Sequence, residues 1–419
     1  MPDPQSDASP LPAFTAEQLA WSDEDLGSIA FPAETMRIRA SFGSGLTRRA
    51  GDPPDIVWAV GDRGPNVKPK VLVKRYGVQA MSSIADTDGA KVMPRLDVGP
   101  ALARLRIHDG RVELLETLRL RDAQDEPVCG LPPESSDHAR TEPTFDLEGK
   151  PLPASPSGLD SEGIVAFRDG GFLLGDEFGP SLVRVDHEGR VTARHVPAGT
   201  PSPDADYATH ATLPAIAARR QLNRGFEALA LAPGERTIFL AFQSPLAHPD
   251  EAAHEAARHV RLWRMNADTL EVGAQYAYPL DPPDSFLRDA GIEPPKRSDL
   301  KVCELVALTD TRLLVLERCS QTTKIYRVDL DANRALAAEH LHRDHRPTLE
   351  EASAAGDPLP DLRKTLLFSS DHAPDVAADM EGMVVLSPTD LLLVSDNDFG
   401  VEGAETSFWR IRFAEPVLG

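Results

Sequence analysis

Cysteine is scarce in this chain, three in 419 residues, which rules out a disulfide scaffold. No apolar run approaches the roughly 20 residues of a membrane helix. Basic residues are outnumbered 44 to 66, for a net charge of −22. A field of that sign repels nucleic acid and anionic membranes and favours cations. The expected partner is therefore a small molecule, with no nucleic acid and no membrane, acting on a monomer. If that molecule is an anion, metal ions or local Arg and Lys must offset the charge. The opening MPDPQSDASPLPAF has neither the basic nor the apolar region of a signal peptide; it also fits a mature chain with Met1 added. No G-x-S-x-G elbow occurs: Gly43-Ser44-Gly45 is too short, and the S-x-x-K spacing of Ser298–Lys301 lies in a loop. Paired-Cys or Cys/His zinc spacing is absent as well. His340, His342 and His345, and the acidic Glu350-Glu351, read as solvated surface.

What the chain does have is a repeat. An acidic residue opens a short apolar run, a turn follows, then a second apolar run and another polar cluster. It reads DSEGIVAF–RDGG–FLLGDE from Asp160, GFEALAL–APGER–TIFLAFQS from Gly225, VCELVAL–TDT–RLLVLER from Val302 and DMEGMVVL–SPTD–LLLVSDND from Asp379. A weaker copy, SFGSGLTRR–AGDPPD–IVWAVGDRG, precedes them from Ser41. Val, Ile, Leu and Phe around Gly, Pro and Asp turns are hairpin chemistry. Continuous rather than alternating apolarity means strands buried on both faces, as between neighbouring propeller blades. More polar outer strands follow, in SLVRVDHEGRVTARHV, HVRLWRMNADTLEVGAQYAY, TKIYRVDL and SFWRIRF.

The fold class is thus all-β: a single β-propeller of five four-stranded blades, or six if 66–120 hides another. The last unit lacks an outer strand, and ETMRIRA (34–40) is the expected N-terminal strand that closes the ring and removes its free edge. Residues 1–30 are expected to form a flexible N-terminal segment ahead of a propeller domain at 31–419. Insertions are expected near 121–159, 197–222, 282–299 and 343–363, where Pro, Asp, Ala and Ser concentrate. Cys303 and Cys319 flank the fourth hairpin, as a cross-strand disulfide or as two half-buried thiols, depending on register.

In a hairpin the start of the first strand and the end of the second lie at one end. Glu162 therefore stands with Glu177, Glu227 with Gln243, Glu304 with Glu317, Glu381 with Asn397, and Gly45 with Asp62, around one mouth of the channel. Converging carboxylates cannot all stay ionised without compensation, and Ca²⁺, or Mg²⁺ in its place, is the cheapest hard cation for oxygen ligands. The expected metal ligands are Glu162, Glu227, Glu304, Glu381, Asp62, Asp396 and Asn397. The competing role for such glutamates is to hydrogen-bond backbone N–H groups of the next blade. Asp176, Glu177 and Asp398 are candidate bases, and Arg63 and Arg318 candidate stabilisers of phosphoryl charge.

The strings LDSEGIVAFRDGGFLLGDEFGPSLVRVDHEGRV, NRGFEALALAPGERTIFLAFQSPL, LLVLER, SDNDFG and VGDRGPN resemble the phytase-like β-propeller family, labelled "esterase-like activity of phytase", from about residue 36 to 413. The resemblance implies a propeller, common among exported bacterial proteins, hence a periplasmic or secreted setting. By looser analogy it implies Ca²⁺-assisted hydrolysis of phosphate esters. Its signature falls on Asp62, Arg63, Glu162, Asp176, Glu177, Glu227, Glu317, Arg318, Asp396 and Asn397. A propeller lactonase or arylesterase, and a non-catalytic binding or scaffold propeller, stay open beside that function.

Overall fold

The apolar hairpins become the inner halves of five antiparallel sheets in the computed structural model, which describes residues 11–135, 140–200 and 205–419. Blade 1 is Gly45–Thr47, Ile56–Gly61, Ala101–His108 and Arg111–Arg119. Blade 2 is Ser161–Ala166, Phe172–Asp176, Ser181–Val185 and Val191–Pro197, with Ala208–Leu213 added in parallel outside. Blade 3 is Phe226–Leu231, Thr237–Phe242, His259–Asn266 and Val272–Pro279. Blade 4 is Lys301–Thr309, Arg312–Arg318, Thr323–Asp329 and Arg363–Ser369. Blade 5 is Met380–Ser387, Asp390–Ser395 and Phe408–Phe413, completed from the N-terminus. The protein is a five-bladed β-propeller. The stretch 66–120 holds no sixth blade; its two long strands are the outer pair of blade 1.

The strand that completes blade 5 is Phe14–Leu19, paired antiparallel with Phe408–Phe413, and not ETMRIRA. It lies inside the segment expected to stand outside the propeller; residues 1–10 of that segment lie outside the described residues. Only its two ends are apolar and only Leu19 is buried, so the strand leaves almost no hydrophobic signature. Thr35–Arg39 instead pairs with Asp25–Ala30. Its Met36 and Ile38 are fully buried in a separate small core with Leu72, Tyr76, Val92 and Phe399. That core caps the polar end of blades 1 and 5, because Phe399 directly follows Asp396–Asp398. Cys303 and Cys319 are free thiols: Val302 faces Glu317 and Lys301 faces Arg318, so the two cysteines are out of register.

The expected insertions carry elements of their own. Thr144–Phe145 pairs with Lys91–Val92 in the cap, Ala208–Leu213 widens blade 2, and helix Leu349–Ala355 docks on blade 3 through a buried two-pronged Arg261–Glu350 pair at 2.8 Å. The channel mouth opposite the polar one is a cavity of 460 Å³ lined by Leu229, Leu305 and Val384 together with Arg48, Asp52 and Glu235.

Leu19 is 2% exposed, and Leu19→Ala should cost about 2–5 kcal/mol, read as a lower urea midpoint at unchanged m. Deleting residues 1–20 bares the Phe408–Phe413 edge, and light scattering should then report self-association.

Candidate metal centre

The inner hairpins of blades 2 to 5 skip one residue at the same level. The ladders jump from Ser161 to Gly163, Phe226 to Ala228, Val302 to Glu304 and Met380 to Gly382. A bulge leaves the extra residue unpaired and re-aims its side chain. The extra residue is Glu162, Glu227 and Glu381 in blades 2, 3 and 5, but Cys303 in blade 4. Glu304 therefore stands one layer deeper, level with Gly163, Ala228, Gly382 and Gly45. This layer is small because the blades close on it: a Cβ on Gly163 would lie 2.1 Å from the Glu227 carbonyl oxygen, and one on Gly45 would lie 3.4 Å from Oε2 of Glu304. The Glu304 carboxylate fills the space left. It accepts hydrogen bonds from the backbone N–H of Leu46 at 2.9 Å, of Leu305 at 3.1 Å and of Met383. Glu304, expected as a metal ligand, is a plug that ties blade 4 to blades 1 and 5.

Above the plug the carboxylates gather. Asp62, Asp160 and Glu162 each offer one oxygen, all within 4.8 Å of one another. Asp62 follows the second strand of blade 1 and accepts the Gly64 N–H at 3.0 Å. Asp160 precedes the first strand of blade 2 and accepts the Arg63 N–H at 3.1 Å. Its Oδ2 lies 2.5 Å from Arg63 Nη2 but outside hydrogen-bonding geometry. Burial, reinforced by Asp396 and Asp160, pushes the Asp62 carboxyl well above its usual range. Burial with Asp160, Glu177 and Asp62 does the same to Glu162. Asp160, buried but facing Arg63, is pushed to about 7, and Glu177, buried beside Glu227, also to about 7. Asp396, buried with Asp398 as neighbour, reaches about 6; Ser41 and Ser44 donate hydroxyl hydrogen bonds to it. Glu227 and Glu381 are raised by burial too. Asn397 donates Nδ2 to the Ala40 carbonyl at 3.0 Å, while its buried Oδ1 has no partner. Asp398 is exposed on a turn with φ of 47°, followed by Phe399 at 54°.

The arginines of this face are largely spoken for. Arg63, 3% exposed, pairs with Glu142 and Asp160 and lies 3.8 Å from Glu177. Its Nη2 donates to Asn223 Oδ1 at 2.5 Å. Gly130 allows the 121–159 insertion to press onto Arg63, since a Cβ there would fall 1.8 Å from the Arg63 carbonyl oxygen. Arg318 pairs with Asp379 and Glu381, and its Nε reaches Cys303 Sγ at 3.1 Å.

Two expected members lie elsewhere. Asp176 is consumed inside blade 2, accepting from Ser181 Oγ at 2.7 Å, from the Asp160 and Phe178 N–H groups and from Arg194. Glu317 faces away from the mouth, bonded to Tyr278 at 2.8 Å and Lys364 at 2.7 Å. Conversely, Asp160 and Glu142 join the site without having been singled out. Asp160 opens the same string as Glu162, and its spacing of two was the available signal; Glu142 sits in an insertion with none.

A model of the Phytase-like family, described as "Esterase-like activity of phytase", matches residues 41–399, which takes in this whole constellation. The chain belongs to the Phytase-like family. An uncharacterized secreted protein of Arthroderma benhamiae is 28% identical over 215 residues, 46% of this chain and 40% of the relative, so the match spans under half of that protein. Among solved structures, regucalcin of Agrobacterium tumefaciens, described as a calcium-binding protein, is similar at 12% identity over 97% of this chain and 98% of its own, with a TM-score of 0.33. A gluconolactonase of Xanthomonas campestris aligns at 12% identity over 75% of this chain and 81% of its own, with a TM-score of 0.29. Likenesses at those scores carry no argument about chemistry; the propeller of this Phytase-like protein rests on its own five sheets.

The raised carboxylates set a pH dependence. A group whose folded-state pKa exceeds its unfolded value stabilises fully below the latter, near pH 4, and loses that contribution as pH rises through the folded value. Chelator-treated protein should therefore lose melting temperature between about pH 4 and pH 7, the range spanned by Asp160, Glu177 and Asp396. Saturating Ca²⁺ should flatten that slope. Glu304→Ala should destabilise by about 1–3 kcal/mol by orphaning buried N–H groups while leaving the Ca²⁺ response intact.

Proposed function

We propose that this protein is a divalent-metal-dependent ester hydrolase acting on phosphate esters at the carboxylate-lined mouth. The observation that carries the reading is the convergence of Asp62, Asp160 and Glu162. The donor set suits a hard cation: it is all oxygen, with Asp62 and Asp160 buried and Glu162 half-buried, and only partly offset by Arg63. Ca²⁺, or Mg²⁺, would be held by these three, with Glu227, Glu381, Asp396 and the unpartnered Asn397 Oδ1 around them. When bound, such an ion supplies Lewis-acid polarisation of an ester oxygen and a lowered pKa for water.

The chain's own groups supply the rest. Glu177, at about 7, can take and return a proton at neutral pH, where a general base works best. Asp398 at the exposed rim is the alternative base. Arg63 holds Asp160 and Glu142 in place, and Arg318 holds Glu381 and Asp379. In this reading the protein works as an exported monomer on a small molecule.

One observation favours a second reading, a lactonase or arylesterase. Arg63 and Arg318 are both committed to carboxylates, and a neutral ester requires no clamp for phosphoryl charge.

Calorimetric melting with Ca²⁺ and with chelator tests the common core. Ligand at 100 times its Kd adds about 2.7 kcal/mol to a folded state that binds it, so wild type should melt several degrees higher with Ca²⁺. Glu162→Ala and Asp62→Asn should abolish that rise. Turnover of an aryl phosphate, lost in the same variants, is the expected activity. Turnover of neutral esters alone selects the second reading. A Ca²⁺ response without turnover of either leaves a binding propeller, and the lack of any Ca²⁺ response overturns both hydrolase readings.

A further inference from the structure

Two cations of the mouth make no ion pair among the described residues. Arg224 is held across it by its neighbours: Asn223, in the left-handed region at φ of 55°, accepts from Arg63, and Gly225 packs so tightly that a Cβ would lie 2.6 Å from the Glu177 Cα. Between these anchors the Arg224 side chain faces Glu177 of blade 2, Glu227 of blade 3 and Arg318 and Cys303 of blade 4. It hydrogen-bonds to none of them: its Nη1 is out of contact with solvent and has no partner. Lys301, half-buried at the head of blade 4, also faces Glu177 and Glu227 and has no ion-pair partner among the described residues. Beside them Gln243 gives its Nε2 to Glu227 and leaves a buried Oε1 unbonded.

A guanidinium nitrogen shut off from solvent without a partner is costly, and the surrounding cations Arg63, Arg318 and Arg220 all have theirs. The charges are also sorted across the mouth. The clustered carboxylates Asp62, Asp160 and Glu162 belong to blades 1 and 2, and the two unpaired cations to blades 3 and 4. We propose that Arg224, with Lys301 beside it, is the subsite for the phosphoryl oxyanion of the substrate, the role that the committed arginines Arg63 and Arg318 cannot fill. The guanidinium fork suits two oxygens of one phosphoryl group, and the lysine serves as a point charge. This assignment rests on the phosphate-ester reading of the mouth, and it gives that reading the clamp it otherwise lacks.

The test is titration of Mg²⁺-loaded protein with inorganic phosphate by calorimetry, with the melting response to Mg²⁺ recorded separately on every variant. Wild type should bind phosphate, R224Q should weaken binding at least tenfold, K301Q severalfold, and R224K should recover part of the loss. R224Q should melt no lower than wild type, because it removes a buried guanidinium nitrogen that has no partner among the described residues; a purely structural Arg224 would instead lower the melting temperature. Phosphate binding unchanged in R224Q, or absent in wild type, overturns the subsite even if Mg²⁺ still stabilises the fold. Phosphate binding that depends on Arg224 without any melting response to Mg²⁺ or Ca²⁺ upholds the subsite and overturns the metal centre. Should R224Q fail to fold, unchanged binding in K301Q and R224K overturns the assignment.

Discussion

A ladder that skips one residue leaves that side chain no place within the sheet, and in this propeller four blades skip at the same height. Everything at the polar mouth hangs on that register. The skipped residues Glu162, Glu227 and Glu381 are delivered to a common level above the channel, whereas Glu304, paired in its ladder, is delivered into it. The same residue type at nearly the same sequence position thus serves two purposes. Above the layer of small residues a carboxylate stands among other carboxylates; within it, one carboxylate satisfies backbone N–H groups from three blades. With that plug in place, the acidic face is a shallow bowl floored by Glu304, and the cavity at the other end of the axis is separate from it.

Desolvation then decides the chemistry. Burial alone raises these carboxyl groups, and their neighbours raise most of them further, so the bowl holds protons at pH values where surface acids hold none. Arg63 is paired with Asp160 and Glu142 and offsets Asp62 only in part, and Arg318 is paired with Glu381 and Asp379 and offsets Glu227. The uncompensated remainder, centred on Asp62 and Glu162, can be stabilised by protons or by a cation. In the proposed reading, protons and a divalent ion compete for the same oxygens, and either one offsets the charge that the cluster would otherwise carry.

Most of the architecture could be read from the chain because inner propeller strands are buried on both faces and so carry continuous apolar runs. All four strong hairpins, the weak first one and the polar outer strands stand where those runs place them. The closing strand could not be read, since FTAEQL is an edge with four exposed residues and its partner lies almost 400 residues away. ETMRIRA has the better strand pattern because Met36 and Ile38 do alternate into a core, but that core belongs to the cap. At the site, the bulges set Glu162 beside Asp62, Glu381 beside Asp396 and Glu227 beside Glu177. The repeat misplaced Glu304 by one residue because Cys303, a small thiol, occupies the bulge that glutamate occupies elsewhere. Asp176 looked like a rim residue by position, yet Arg194, from the outer strand of its own blade, claims it.

The division of labour between repeat and insertion follows from the same physics. The inner strands can supply only what fits a bulge, and repetition makes that supply nearly uniform: carboxylates around a ring. Uniform negative charge binds cations but recognises no particular ester. Asymmetry has to come from chain that does not repeat. Glu142 arrives on the 121–159 insertion and fixes Arg63. Asn223 and Arg224 arrive where the insertion after blade 2 re-enters the ring, and the cap core locks Phe399 behind Asp396 and Asp398. The residues that would hold a metal are thus those the fold repeats, and the residues that would choose a substrate are those it inserts. A relative that kept Asp62, Asp160 and Glu162 but changed the segment before Glu227 would keep its cation and change its ester.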